Sequence, residues 1–350
     1  MIRFEQWTVA LEPMSIRAGI ARRLEGGTFD GPLAELASRA WGAMARVHTP
    51  LQWREDARVV VVGGSTLGGS GKTPLALACA EELNERGARV ALVGHGYGAT
   101  PGPARLVAES DDVRLVGDEA LVCKHHLSAR GIPVSVASTR QQALDLALSL
   151  TDVAVVDGPC QTRPRRATLA LLAVNATDPW GAGWCPPRGD LRAPLKNLLA
   201  AVDRIVAIAP EDAPSRCPNS IGAPPVDLAW IVSNGATLEG KSIGWRELSR
   251  SRIGLWTALA RPGRIVATLA RRGVYPVVVR ECGDHGPARV PRRSPYRGID
   301  LWVCTSKCRR HLPASLWGAP VATLDCTLRL EDPLKAALAR LDPKQAHPIS

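Results

Sequence analysis

One stretch of the chain decides the fold: Val59-Val-Val-Val-Gly-Gly-Ser-Thr-Leu-Gly-Gly-Ser-Gly-Lys-Thr-Pro74. Its four consecutive valines predict a buried strand, because β-branched side chains suit a pleated surface that is covered on both faces. A glycine-rich turn follows, and the apolar periodicity of residues 74–86 predicts a helix. A strand, a glycine loop and a helix N-terminus together direct backbone N–H groups at one point, which favours a bound phosphate.

The loop also carries the side chains of a nucleotide site. Lys72 is placed to reach the terminal phosphates, and the Thr73 hydroxyl is placed to bind Mg²⁺. The loop residues that would surround the phosphates are Gly68, Gly69, Ser70 and Gly71. The common spacing G-x-x-x-x-G-K-[ST] has glycine at position 66, where this chain has Thr66. An ordinary glycine turn with a surface lysine is the alternative, but the flanking strand and helix favour nucleotide binding.

Strands and helices alternate after the loop. Apolar runs predict strands at 89–93, 133–137, 152–158, 167–174 and 204–208, and helices near 119–129, 139–149 and 193–201. This alternation predicts an α/β fold with a P-loop NTPase-like, doubly wound parallel sheet. Asp157 ends one of the predicted strands, where the ligands of open α/β sheets bind, and an acid there supports Mg²⁺ in P-loop proteins. The alternative for Asp157 is an ordinary Asp-Gly turn.

The length of 350 residues allows more than one domain. We predict an N-terminal amphipathic helical region at 1–58, a P-loop domain at 59–210, a linker region at 211–251, a smaller α/β domain at 252–342 and a loose tail at 343–350. The linker prediction depends on several prolines and weak periodicity in residues 210–226. In the smaller domain we predict strands at 252–259, 274–281, 299–305 and 320–325, and helices at 262–272 and 331–341.

The amino-acid composition favours some classes of binding partner and argues against others. Lys and Arg exceed Asp and Glu by 44 − 33 = 11, which suits a polyanionic partner such as a nucleotide, a phosphorylated substrate or an anionic membrane. Two Phe, three Tyr and no reader motif argue against nucleic acid. Nine cysteines without a regular framework indicate a reducing compartment. No apolar run is long enough to span a bilayer and no signal-peptide core is present, so we expect the active part on the cytoplasmic side.

A second periodic segment precedes the loop. Apolar residues recur there at three- and four-residue steps, at Leu33, Leu36, Ala37, Ala40, Trp41, Met44 and Val47. This spacing predicts an amphipathic helix over 33–47, which either packs against a core or lies in a membrane interface. The pattern alone favours core packing.

Six motifs follow one another along the chain: Gly68-Gly-Ser-Gly-Lys-Thr-Pro74, Gly96-Tyr97-Gly98, Gly117-Asp118-Glu119, Val156-Asp157-Gly158, Pro187-Arg-Gly-Asp-Leu-Arg192 and Asp284-His285. In this order they resemble the tetraacyldisaccharide 4'-kinases, lipid A pathway enzymes that phosphorylate a membrane-embedded disaccharide with ATP. The resemblance extends from about residue 33 to about residue 340. The loop of that family also reads G-G-x-G-K-T-P, which accounts for Thr66.

The resemblance implies a P-loop domain and a smaller α/β domain with the active site in the cleft between them. It implies ATP and Mg²⁺ as cofactors, and a tetraacyldisaccharide 1-phosphate as the lipid substrate. It also implies peripheral attachment to the cytoplasmic face of the inner membrane through helix 33–47. The localisation that we expect is therefore the cytoplasmic side of the inner membrane.

The resemblance further assigns roles to four residues. Asp118 and His285 would form the acid/base pair that accepts the proton of the 4'-hydroxyl, Glu119 would assist the metal, and Arg192 would contact phosphate. Taken alone, Asp118 is typical of a helix N-cap, and His285 is typical of a histidine in a loop.

The chain also departs from the family pattern. The paired acids of the family read Val156-Asp157 here, and three further positions lack the family's acid, at Ala193, Ser306 and Cys308. These losses favour an alternative function: a P-loop ATP-binding paralogue with a different small-molecule substrate or without catalysis. A third hypothesis is a zinc-binding module, from Cys282-x-x-His285 and Cys304-x-x-x-Cys308, although Cys304 is equally typical of a small buried hydrophobe.

Overall fold

The computed structural model describes residues 20, 23–94, 96, 99–100, 102–211, 224–257, 263–281, 290–291 and 296–341. The chain divides into two compact units. The phosphate-loop unit comprises the described residues of Leu24–Ile231 and of 328–341, and the second unit comprises the described residues of Val232–Thr327 together with residues 20 and 23.

The strands, in chain order, are β1 (His48–Leu51), β2 (Arg58–Gly64), β3 (Val90–Val93), β4 (Arg105–Leu106), β5 (Val134–Val136), β6 (Val153–Asp157), β7 (Gln161–Pro164), β8 (Leu169–Asn175), β9 (Arg204–Pro210), β10 (Val226–Leu238), β11 (Lys241–Ile243), β12 (Ile253–Thr257), β13 (Val278–Glu281), β14 (Leu301–Cys304), β15 (Ser315–Leu316) and β16 (Ala319–Leu330). The helices are α1 (Pro32–Met44), α2 (Lys72–Glu85), α3 (Val113–Val116), α4 (Asp118–Leu127), α5 (Arg140–Leu150), α6 (Leu195–Ala201), α7 (Trp245–Leu248), α8 (Gly263–Arg271), α9 (Ser306–Arg309) and α10 (Asp332–Ala339).

A parallel sheet forms the centre of the phosphate-loop unit. Its strand order is β10-β9-β8-β2-β6-β3-β5, and the short β4 pairs antiparallel with β5 at the edge. β2 therefore lies between β8 and β6, with Val62 opposite Asp157 on one side and Leu171 on the other. The predicted doubly wound α/β fold is confirmed.

The side chains of the central strands alternate between two apolar clusters, one on each face of the sheet. Val60 and Val62 pack with α2, α4 and α10 on one face. Val59 and Val61 pack with α5 and α6 on the other. Each fully buried valine contributes on the order of 1.5–2 kcal/mol, so β2 is held firmly where its last residue begins the loop.

The second unit has its own parallel strands, in the order β13-β12-β14-β16. β11 and β15 add antiparallel pairs to β10 and β16. Ile253, Leu255 and Val303 belong to one apolar cluster, and Trp256 and Trp302 belong to a second one.

Two segments differ from their sequence-based prediction. Residues 211–251 were expected to be a linker, yet their described part contains β10, β11 and α7. The polar residues of β10 hid this strand, because several of its side chains are only half-buried and its pattern is therefore irregular. The helix expected at the end of the smaller domain is α10, and it packs in the phosphate-loop unit, where Leu334 and Leu338 join the cluster around α2.

Candidate active site

The loop after β2 folds back against the end of its own strand. A Cβ on Gly64 would lie 2.1 Å from Ser70 Oγ, and a Cβ on Gly71 would lie 2.5 Å from Ile208 Cδ1. Gly71 also has a φ of 85°, which L-residues with side chains rarely adopt. Gly71 therefore has to be glycine because of its backbone conformation, and Gly64 leaves room for the side chain of Ser70. Within the described residues, no side chain caps the N-terminus of α2, so this helix end presents its N–H groups to an anion.

A second segment of chain fastens the loop. Leu67 N donates to Asp190 O over 2.9 Å, and Arg192 N donates to Ser65 O over 2.9 Å. Between these two bonds Thr66 forms a β-bridge with Leu191, and its hydroxyl donates to Gly68 O over 2.7 Å. Position 66 thus needs extended backbone and a short turn-closing side chain, which explains physically why threonine can replace glycine there.

Thr73 and Asp157 meet below the loop. Thr73 Oγ1 donates to Asp157 Oδ2 over 2.6 Å, and this contact follows from the pairing of β2 with β6. Asp157 is 4% exposed, and its Oδ1 is buried without a hydrogen-bond partner in the described part of the chain. An anionic oxygen left unpaired next to a hydroxyl suits a hard divalent cation, so this pair fits Mg²⁺.

Arg140 is a candidate site residue that was not predicted from the sequence. It is the first residue of α5, and its Nη2 donates to the backbone oxygen of Asp157 over 3.3 Å. Burial lowers the pKa of the Arg140 guanidinium; Asp157 opposes that shift and Arg192 adds to it. The signal available in the sequence was Thr139, which caps α5 and so fixes an arginine at a helix start on the carboxyl edge of the sheet.

The pKa shifts of two buried cysteine thiols indicate which charged side chains lie near the loop. Burial raises the pKa of the Cys160 thiol, and the nearby charges of Arg192 and Lys72 lower it in part. Burial also raises the pKa of the Cys123 thiol, which Asp157 and Glu119 raise further and Lys72 lowers. Lys72 is common to both neighbourhoods. The fold thus brings the cations of the loop, α5 and Arg192 close to the carboxylates of β6 and α4, a composition that suits a polyphosphate with a divalent ion.

Asp118 and Glu119 begin α4. The N-cap of this helix is Gly117, so the alternative interpretation of Asp118 as the N-cap is wrong by one residue. Asp118 is 7% exposed, and its Oδ1 accepts a hydrogen bond from Glu119 N over 2.9 Å. The second proposed acid/base residue, His285, lies outside the described residues, as do Tyr97 and Cys282.

The positions of two lost acids are apolar core positions here. Val156 is fully buried on the sheet face where α5 and α6 pack, opposite the face of Asp157. Ala193 is fully buried in the same cluster. Neither residue faces the Thr73–Asp157 pair.

The described residues do not support a zinc site. Cys304 is fully buried at the end of β14, where burial raises the pKa of its thiol to about 12. Cys308 is buried in the same apolar cluster. Across the described ranges, no three His, Cys, Asp or Glu side chains are close enough to hold a metal ion.

The apolar face of helix α1 is exposed, whereas the residue pattern alone favoured its burial against the core. Its buried residues are Ser38 and Gly42, whereas Leu33 is 83%, Leu36 67% and Met44 72% exposed. Core packing of this face, the alternative that the pattern alone favoured, is therefore wrong. The small residues face inward because the helix lies close to its neighbour: Ser38 Oγ donates to Cys185 O over 2.7 Å, and a Cβ on Gly42 would lie 2.9 Å from Pro194 Cγ. No helix in the described ranges is both long enough and apolar enough to cross a membrane.

Comparison with known proteins gives a consistent result. The family described as Tetraacyldisaccharide-1-P 4'-kinase matches residues 32–339. A tetraacyldisaccharide 4'-kinase of Dichelobacter nodosus is 34% identical over 243 residues, covering 69% of this chain and 70% of that protein. One of Acidovorax sp. is 31% identical over 344 residues, covering 89% and 96%.

A solved structure has the same fold. It is the apo form of LpxK from Aquifex aeolicus in complex with ATP, with a TM-score of 0.63 and 18% identity, covering 94% of this chain and all of that one. The resemblance read from the six motifs is confirmed. The chain belongs to the tetraacyldisaccharide 4'-kinase family.

Proposed function

We propose that this protein transfers the γ-phosphate of ATP to the 4'-hydroxyl of a tetraacyldisaccharide 1-phosphate. The observation that carries the proposal is the Thr73–Asp157 hydrogen bond next to a glycine loop that ends in Gly71, whose positive φ favours glycine. Family membership over residues 32–339 supplies the lipid substrate, which local geometry alone does not specify.

The loop would bind the nucleotide phosphates. The N–H groups at the start of α2, the residues Gly68 to Gly71 and the ammonium group of Lys72 would surround them, while Arg192 adds a second cation. Thr73 and Asp157 would hold Mg²⁺ with help from Glu119, and the bound ion would neutralise charge on the transferred phosphoryl group.

Phosphoryl transfer then needs an aligned hydroxyl and a proton acceptor. The 4'-oxygen forms a bond to the γ-phosphorus, the bond from that phosphorus to the oxygen of the ADP leaving group breaks, and the hydroxyl proton passes to the Asp118–His285 pair. The burial of Asp118 next to Glu119 supports this role, because exclusion of water strengthens its interaction with a substrate hydroxyl. For His285 the support is the sequence motif alone.

The absence of the family's acids at positions 156 and 193 leaves the Thr73–Asp157 pair, which would hold Mg²⁺, in place. A carboxylate at position 156 would extend from the opposite face of β6, and position 193 is an apolar core position. The smaller number of acidic residues in this chain is therefore compatible with catalysis, which favours the kinase over a paralogue without catalysis.

The decisive test combines an assay with complementation. Purified protein, ATP, Mg²⁺ and tetraacyldisaccharide 1-phosphate should give the 4'-phosphorylated product, and the gene should rescue a strain that lacks the lipid A kinase. Asp118→Ala and His285→Ala should each abolish rescue. Intact ATP binding without product would favour the paralogue, and rescue by the double variant would exclude the acid/base pair.

We further propose that the protein is a peripheral protein of the cytoplasmic face of the inner membrane and docks through α1. The support is the outward direction of Leu33, Leu36, Trp41 and Met44 on one helix, since a contiguous exposed apolar stripe with an interfacial tryptophan suits a bilayer surface. Docking would bring the site to a substrate that is itself embedded in the membrane. Co-sedimentation with phospholipid vesicles tests this, and a protein that stays in the supernatant would refute it.

A further inference from the structure

We infer that Arg188 is a positioning residue that couples helix α1 to the phosphate loop, so that docking of α1 on a lipid surface alters ATP binding. This inference depends on the membrane docking that we propose for α1. It concerns the turn Trp184–Arg192, which touches α1 at one end and the loop at the other.

The contact with α1 is made by the first half of the turn. Arg188 Nη2 lies 3.2 Å from Asp30 Oδ1, and Arg188 Nη1 lies 3.6 Å from Glu35 Oε2. Ser38 adds its hydrogen bond to Cys185 O. The first turns of α1 are therefore held by charge and hydrogen bonds rather than by apolar packing, which leaves the apolar face available for lipid.

The turn itself is closed by its own bonds. Leu191 N donates to Trp184 O over 2.9 Å, and Gly189 N donates to Cys185 O over 3.2 Å. The guanidinium of Arg188 also lies over the Trp184 ring, 4.1 Å from its centroid. A Cβ on Gly189 would lie 2.5 Å from Trp184 O, so the two halves of the turn are in close contact. A displacement of Arg188 therefore moves the whole turn.

The second half of the turn is bound to the phosphate loop. Asp190 O and Arg192 N make the two backbone hydrogen bonds to Leu67 and Ser65. The charges of Arg192 and Lys72 both lower the pKa of the buried Cys160 thiol, so these two cations share one neighbourhood. Backbone bonds on both sides of Thr66 transmit a shift of the turn to the residues that would surround the phosphates.

The expected size of the effect is modest. The carboxylates of Asp30 and Glu35 are 77% and 37% exposed, and partly exposed ion pairs are weak. We expect saturating vesicles to change the ATP dissociation constant about threefold, which corresponds to about 0.7 kcal/mol. By thermodynamic linkage, ATP should change vesicle affinity by the same factor.

The experiment measures the ATP dissociation constant of the full chain with and without saturating vesicles of three parts phosphatidylethanolamine to one part phosphatidylglycerol. Amide hydrogen exchange of residues 65–71 and 184–192 is followed in parallel. In the unmodified protein, vesicles should alter both quantities. In Arg188→Ala, vesicle binding should persist while the threefold change in ATP affinity and the exchange response disappear.

Two further variants make the test specific. Asp30→Asn combined with Glu35→Gln removes the same ion pairs from the side of α1 and of the segment just before it, and it should reproduce Arg188→Ala even if that variant folds poorly. Arg39→Ala is the matched control, because Arg39 also pairs with Glu35, over 2.6 Å, but extends from α1 itself. It should keep the threefold change.

The possible failures can be told apart. A vesicle-bound protein whose ATP affinity does not respond, or an Arg188→Ala variant that responds fully, would overturn the coupling and leave docking intact. A protein that does not bind vesicles at all would overturn docking, and the coupling with it.

Discussion

Strand β2 and helix α1 both come from clear sequence patterns, yet only one of them places its apolar side chains where the pattern indicates. The valines of β2 are fully buried between two layers of helices. On α1 the apolar side chains extend outward, and Ser38 and Gly42 face the protein.

The difference has a simple physical origin. A strand with hydrogen-bonded neighbours on both sides and helices on both faces has no exposed surface. Every side chain in a run of valines is therefore buried there. A helix has one apolar side, and periodicity says which residues share that side without saying what covers it. Small residues on the opposite side allow an equally close contact with the protein, as Gly42 does against Pro194. Four measurements test this contrast.

The largest effect is expected at the buried site. Lys72→Ala should lower kcat/KM about 10²- to 10³-fold, because it removes one preorganised cation from the developing phosphate charge. The thermal unfolding midpoint should stay close to that of the unmodified protein. Lys241→Ala, at an exposed lysine of β11, is the control and should keep full activity. Equal losses in the two variants would contradict the role of Lys72.

A smaller effect is expected below the loop. Asp157→Asn keeps the size of the side chain but removes the charge next to Thr73, so the Mg²⁺ concentration for half-maximal activity should rise about tenfold or more. A Mg²⁺ titration at fixed ATP measures this. Asp145→Asn, at an exposed acid of α5, should not change the titration. An unchanged Mg²⁺ requirement in Asp157→Asn would remove this residue from the metal site.

On α1 the buried side should control stability. Gly42→Val places a branched side chain against Pro194 and should reduce the free energy of unfolding by about 1–3 kcal/mol. Urea denaturation is the measurement. Ala43→Val places the same side chain at an exposed position of α1, where only the lower helix propensity of valine counts, and it should lose no more than about 0.7 kcal/mol. If both variants were equally stable, the inward direction of Gly42 would be wrong.

The exposed side of α1 should control lipid binding instead. Leu36→Ser should leave the free energy of unfolding within about 0.5 kcal/mol, because this leucine is already 67% exposed. Vesicle affinity should fall about fivefold, the equivalent of about 1 kcal/mol for one leucine withdrawn from the interface. Ala43→Ser on the same helix serves as the control. A loss of stability with unchanged vesicle binding would return α1 to the core-packing interpretation.

Much of the candidate site could be predicted from the sequence because its residues stand next to clear local signals, namely a glycine loop and the end of an apolar strand. Lys72 and Thr73 follow a glycine loop, and Asp157 ends an apolar strand, so topology alone brings them to one edge of the sheet. Arg140 was missed because nothing in its own segment indicates phosphate. Its position follows from the cap at Thr139 and from the pairing of β6 with its neighbours. β10 was missed because its half-buried side chains show no regular alternation.

The sequence by itself determined the buried strand, the loop, the alternation of strands and helices that follows the loop, and the family, since each depends on local residue types or on the order of motifs. Only the tertiary structure decided which face of α1 is exposed, that Val156 lies away from the Thr73–Asp157 pair, and that α10 packs in the phosphate-loop unit. These properties depend on which surface meets which neighbour. A periodic pattern limits the direction of side chains along one element, but close packing between elements selects the partner.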